Sequence, residues 1–128
     1  MIKIGEKAPE FTGIVAYQKG KDQFLRIALA DFRRQWIVLF FYPRDFTFIC
    51  PTEIKEFAAL EKEFEQCGCV ILGCSTDSEW SHQNWFERDL TMVGYPILAD
   101  TTQEVSRLYN VLGPDGAAQR GTFIIDPE

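Results

Sequence analysis

Two uninterrupted apolar runs constrain this chain more than any other feature. Residues 36–42 read WIVLFFY and residues 69–75 read CVILGCS. Each has strand length, is rich in β-branched or aromatic residues, and lacks polar alternation. That pattern predicts strands buried on both faces, which requires covering layers above and below. The segments between and after them supply the cover. Residues 51–66 repeat Ile54, Phe57, Ala58, Leu60 and Phe64 at three- and four-residue spacing, with Glu and Lys on the other face, and Gly68 follows as a stop. A second helix is expected over 79–90, with Trp80, Trp85 and Phe86 as packing residues, and a third over 102–112, closed by Gly113-Pro114. Residues 11–17 and 95–98 read as short extended segments, 27–32 as one short helix, and 122–126 as a final strand. Strands alternating with helices predict an α/β layer structure with a mainly parallel central sheet. No repeat or linker divides the 128 residues, so one domain over 1–128 is expected. Asp126-Pro127-Glu128 reads as the start of a turn, leaving an open edge strand or pointing to a longer chain.

Composition excludes several function classes. The net charge of −6 and pI near 4.8 argue against nucleic acid or an anionic membrane as partner. The N-terminal MIKIGEKAPEF has no apolar core of a secretory signal, and no run approaches a membrane span, so a reducing cytoplasm is the expected setting. The four cysteines then read as packed or reactive thiols.

Cys50 is placed for reactivity. Pro51 suits the first helical position, which makes Cys50 the expected N-cap, with Glu53 three residues on as in a capping box. Unpaired amides and the positive end of the helix dipole then face the sulfur and favour the thiolate. Spacing alone is equally compatible with a small buried cysteine before a helix. Pro43 fixes the turn out of the strand, and Thr47, three residues before Cys50, can offer a hydroxyl to the sulfur or to an oxygen substrate.

The stretch from Pro43 to Cys50, PRDFTFIC, resembles the Pro-x-x-x-Thr-x-x-Cys motif of the peroxiredoxins. FFYPRDFTFICPTE is similar to their typical two-cysteine, alkyl hydroperoxide reductase-like subgroup. IGEKAPEF, STDSEWSHQNW, YPILADTTQEVSRLYNVL and QRGTFIIDPE resemble further family segments in the family's order. The resemblance implies a thioredoxin-like fold, a central mixed β-sheet flanked by helices, here C-terminally truncated and lacking the family's last strand and helix. It implies a thiol-dependent peroxidase that reduces hydrogen peroxide and alkyl hydroperoxides. Cys50 would be the peroxidatic nucleophile and pass to a sulfenic acid. Thr47 would bind the peroxide, Pro43 screen the pocket, Arg120 stabilise the thiolate, and Glu53 orient the arginine side. The peroxidatic step would need no metal, flavin or haem. Partners would be the hydroperoxide, an external thiol reductant such as a thioredoxin-like or flavoprotein reductase, and further copies in a homodimer or larger oligomer.

Some residues stay outside this reading. No resolving cysteine is evident: Cys69 and Cys74 lie in a buried strand, and Cys67 lies roughly 25 Å along the helix from Cys50. Cys67, Cys69, Cys74 and His82 lack the spacing of a zinc site. Arg44 and Asp45 read as surface charges, and His82 as a packing or surface residue. A peroxidase-inactive fragment, a thiol redox sensor and a chaperone-like module remain as alternatives.

Overall fold

The computed structural model describes residues 5–21, 23–46 and 50–127, and for Cys50 and Pro51 the backbone alone. Six strands form one sheet in the order β2-β1-β5-β4-β3-β6: β1 Ile14–Tyr17, β2 Leu25–Ile27, β3 Trp36–Phe41, β4 Cys69–Ser75, β5 Ile97–Ala99 and β6 Gly121–Ile125. β3, β4 and β5 run parallel, while β1 and β2 on one side and β6 on the other are antiparallel to their neighbours. The mainly parallel sheet expected from the alternation is therefore confined to the centre, and the sheet is mixed. Among the described residues four helices cover it: α1 Cys50–Ala59, α2 Glu61–Gln66, α3 Glu79–Asp89 and α4 Glu104–Leu108. No helix among the described residues is long and apolar enough to cross a membrane.

β3 shows why its sequence is apolar without alternation. Ile37, Leu39 and Phe41 pack into a core on one face of the sheet, and Phe40 packs into a second core on the other. Burial of each such side chain is worth roughly 1.5–3 kcal/mol. α1 docks on the second core through Ile54, which is fully buried, and Phe57, which stacks on Phe40 with ring centroids 4.8 Å apart. Gly73 makes room beside this stack: a Cβ there would lie 3.0 Å from the Phe40 ring and 2.9 Å from Ile97 Cδ1.

Several elements differ from expectation. The continuous helix over 51–66 is two helices, because the chain tightens at Leu60, whose N–H is shared between the Glu56 and Phe57 carbonyls. Tyr95 Oη also donates to the Ile54 carbonyl at 2.8 Å, inside the α1 ladder. The helix expected over 102–112 spans only Glu104–Leu108: Gln103 and Asn110 both have positive φ, and Val111 N–H closes back on the Ser106 carbonyl. Over 27–32, Ile27 ends β2, and only Leu29–Phe32 turns, as a 3-10 helix. Trp80 is 63% exposed, its ring edge against Phe24, so the inner face of α3 is made by His82, Trp85 and Phe86.

Two details yield stability predictions. The Ser106 hydroxyl is buried in α4 with no hydrogen-bond partner among the described residues. Ser106→Ala removes that unpaired group and adds a better helix former, so denaturant melts are expected to show a gain of about 0.5–1 kcal/mol. Partial burial of Glu61, with Glu65 beside it, pushes the Glu61 carboxyl up. The folded chain thus holds that proton more tightly than the unfolded one. The stability involved is full below the ordinary carboxylate range and is lost as pH rises through the raised value. At pH 7 the ionised Glu61 therefore opposes folding. Glu61→Gln is expected to raise stability at pH 7 by about a few tenths of a kcal/mol, since the group is partly solvated. At pH 3 it should melt with the wild type.

Candidate active site

The sheet delivers the candidate residues to one end. Parallel β3, β4 and β5 all finish there, the end at which open α/β sheets bind ligands. β3 runs out through Tyr42 and the half-buried Pro43, and α1 begins at Cys50, with its N-terminus at the same end. The helix assignment includes Cys50 itself, so Cys50 opens the first turn instead of capping it from outside. β6 reverses direction, and its register with β3 pairs Gly121 with Phe41. Arg120, one residue earlier, is therefore set beyond the end of β3.

Arg120 reaches α1. Its Nη1 lies 3.8 Å from Glu53 Oε2, and both side chains are partly exposed. Glu53 stands one turn on from Cys50, on the same side of the helix. The structure thus brings Arg120 and Glu53 together at the first turn of α1. Thr47 and the Cys50 side chain lie outside the described residues. Arg44 bridges to Asp115 at 3.5 Å. The Ala117 N–H holds the Asp115 carboxyl below its ordinary value, and Arg44 adds to that effect.

Asp45 corrects the sequence reading most. It is not a surface charge: it is 7% exposed and sits at the centre of a polar network. Tyr42 Oη donates to Asp45 Oδ1 at 2.6 Å, Ser81 Oγ donates to Oδ2 at 2.8 Å, and His82 Nδ1 lies 2.7 Å from Oδ2. Asp45 N–H donates to Asp77 Oδ2 at 2.6 Å, and Asp77 in turn accepts from Ser75 Oγ. His82 is fully buried, and its Nε2 faces the Leu98 carbonyl at 3.0 Å. Both ring nitrogens are committed to oxygens, so the imidazole is a packing residue with fixed polar partners, not a metal ligand. Burial, then the Asp45 carboxylate, pushes the Tyr42 phenol far up, so it remains a donor. The sequence signal for this cluster was slight. His82 precedes Trp85 and Phe86 by three and four residues, which marks it as an inward position.

Phe46 follows with φ +62°, a left-handed conformation that costs a bulky residue about 1–3 kcal/mol. Its ring rests 5.8 Å from Trp85, and Arg88 covers it at 5.1 Å. The remaining thiols are elsewhere. Cys67 is exposed at the far end of α2, whereas burial raises the pKa of Cys69 and raises that of Cys74 further.

The sequence profile of the AhpC/TSA family matches residues 4–128. The chain belongs to the peroxiredoxin family. It is 44% identical over 133 residues to the chloroplastic 2-cysteine peroxiredoxin of Chattonella marina var. antiqua, covering 99% of this chain and 67% of that protein. It is 46% identical over 132 residues to a thioredoxin peroxidase of Trypanosoma brucei rhodesiense, covering 98% and 65%. Among solved structures, AhpC of Mycobacterium bovis superposes with a TM-score of 0.90 at 38% identity, over 99% of this chain and 77% of that one. The likeness confirms the thioredoxin-like α/β fold expected of a peroxiredoxin. The chain spans about two thirds of the length of the curated relatives it matches.

Proposed function

We propose that residues 1–128 form one thioredoxin-like peroxiredoxin domain that reduces hydrogen peroxide and alkyl hydroperoxides at Cys50. The observation that carries the reading is the arrival of Arg120 and Glu53 at the first turn of the helix that Cys50 opens. A helix N-terminus and a guanidinium both favour a thiolate over a thiol. The Cys50 thiolate attacks the terminal oxygen of the peroxide. An S–O bond forms as the O–O bond breaks. The departing alkoxide or hydroxide takes a proton to become alcohol or water, and the sulfur is left as sulfenic acid. Thr47 holds the peroxide, Pro43 limits water at the sulfur, Arg120 stabilises the charge developing along the O–O bond, and Glu53 orients Arg120. No metal, flavin or haem enters this step. An external thiol, delivered by a thioredoxin-like or flavoprotein reductase, attacks the sulfenic acid, expels water and forms a mixed disulfide. A second thiol then resolves it. Cys67, Cys69 and Cys74 do not serve as resolving residues, given the far position of one and the burial of the other two. A reducing compartment such as the cytoplasm suits this cycle, and the chain works as a homodimer or larger homo-oligomer.

The test is one equivalent of hydrogen peroxide added to the reduced protein, followed by a sulfenic-acid trap and peptide masses. Rapid trapping at Cys50, ahead of the other three cysteines, is expected. Trapping without turnover in the presence of thioredoxin or a flavoprotein reductase would recast the chain as a redox sensor. No preferential trapping at Cys50 would overturn the peroxidase reading.

A further inference from the structure

Residues 42–46 carry the chain out of β3 toward Cys50, and the buried Asp45 carboxylate ties them to α3. Asp45 takes its donors from two elements: Tyr42 at the end of β3, and Ser81 with His82 on α3. Its own N–H is tied to Asp77 beyond β4. We propose that Asp45 and His82 are positioning residues for Cys50: the pair locks residues 42–46 to the face of α3, upstream of Cys50, and that sets how readily Cys50 meets a peroxide. This rests on the peroxidase reading above.

The geometry gives the pair a direction of control. His82 cannot follow the segment, because its Nε2 is fixed by the Leu98 carbonyl of β5 and its ring is fully buried. The segment must therefore conform to His82. Ser81, His82, Trp85 and Arg88 fall within two turns of α3, and all four touch Asp45 or Phe46. Phe46 is held in its left-handed conformation at the end of this row, four residues before Cys50. A segment that only needed attachment to the fold would not require so many fixed partners at two adjacent residues. The arrangement over-determines one backbone path, as is expected where a reacting group must be aimed.

Two substitutions at His82 separate the contacts. His82→Asn keeps a donor where Nδ1 faces Asp45 and gives up Leu98. His82→Gln reaches the Leu98 carbonyl and gives up Asp45. For each, the second-order rate of Cys50 with hydrogen peroxide is measured per folded molecule, beside its rate of alkylation by iodoacetamide, which needs no oriented peroxide. His82→Asn is expected to stay within about threefold of wild type, and His82→Gln to lose at least about tenfold in the peroxide rate alone. Peroxide rates that match wild type in both variants, or that fall in step with alkylation and melting temperature, would overturn the inference. Should neither variant fold, Ser81→Ala decides, since it removes one donor from Asp45 at a half-buried site. A severalfold loss in the peroxide rate alone is expected there, and an unchanged rate overturns the inference. A wild-type chain whose Cys50 ignores peroxide removes the peroxidase reading and this inference together. A reactive wild type with indifferent variants removes the inference alone.

Discussion

Cys50→Ser is expected to reduce peroxide consumption to the level of buffer while leaving the fold intact. The physical reason is the nucleophile. A serine hydroxyl does not ionise near neutral pH, even at a helix N-terminus, and peroxides are cleaved by thiolates, not by alcohols. The fold should survive because serine differs from cysteine by a single atom and a residue in the first turn of a helix keeps the same backbone path. Far-UV circular dichroism and the melting temperature should therefore match wild type. Peroxide consumption is best followed with excess dithiothreitol, which bypasses the question of the natural reductant. Retained consumption in a well-folded Cys50→Ser chain would mean that another cysteine does the work. Cys67, the exposed thiol, would be the first to test.

The second large effect is expected at Arg120. Arg120→Ala should lower the second-order rate with hydrogen peroxide on the order of 10²-fold, the usual cost of removing one fixed charge or donor aimed at a transition state. Stability is expected to change little. The Arg120–Glu53 contact is 3.8 Å long between half-exposed side chains, and such pairs contribute less than about 1 kcal/mol. Arg120→Lys separates charge from shape. A lysine restores a point charge but not the planar fork, so an intermediate rate is expected. An unchanged rate in Arg120→Ala would place Arg120 outside the chemistry and leave it as a surface tie between β6 and α1. A rate lost in proportion to melting temperature would likewise make Arg120 a structural residue.

What could be read before the structure depended on how local the information was. β3, β4 and β6 follow, to within one residue at each end, from apolar runs that need no partner to be recognised. β2 did not, because Leu25-Arg26-Ile27 is too short to show alternation and is a strand only through its pairing with β1. The reversed directions of β1, β2 and β6 were equally hidden, since the alternation of strands with helices speaks only for the parallel centre. The ends of α4 depend on Gln103 and Asn110 adopting positive φ; asparagine favours that region and can mark a helix end, but glutamine gives no such sign. At the candidate site, Cys50 stood out because motif and helix start coincide within a few residues, and the structure does begin α1 there. Arg120 stood out only through the family resemblance, and the structure sets it beside Glu53. Asp45 and His82 are 37 residues apart and meet only when β3 and α3 pack at one end of the sheet. A charged residue in a loop gives no hint of that.

The contact between Phe46 and Trp85 has a practical consequence for following the chemistry in time. Trp85 is buried, while Trp36 and Trp80 are largely exposed. Its indole emission reports on a dry, aromatic environment one of whose walls is Phe46. A displacement of Phe46 on peroxide treatment would exchange that wall for water and change the emitted light. The chain thus carries an intrinsic optical probe beside Phe46, readable in a stopped-flow instrument without any label.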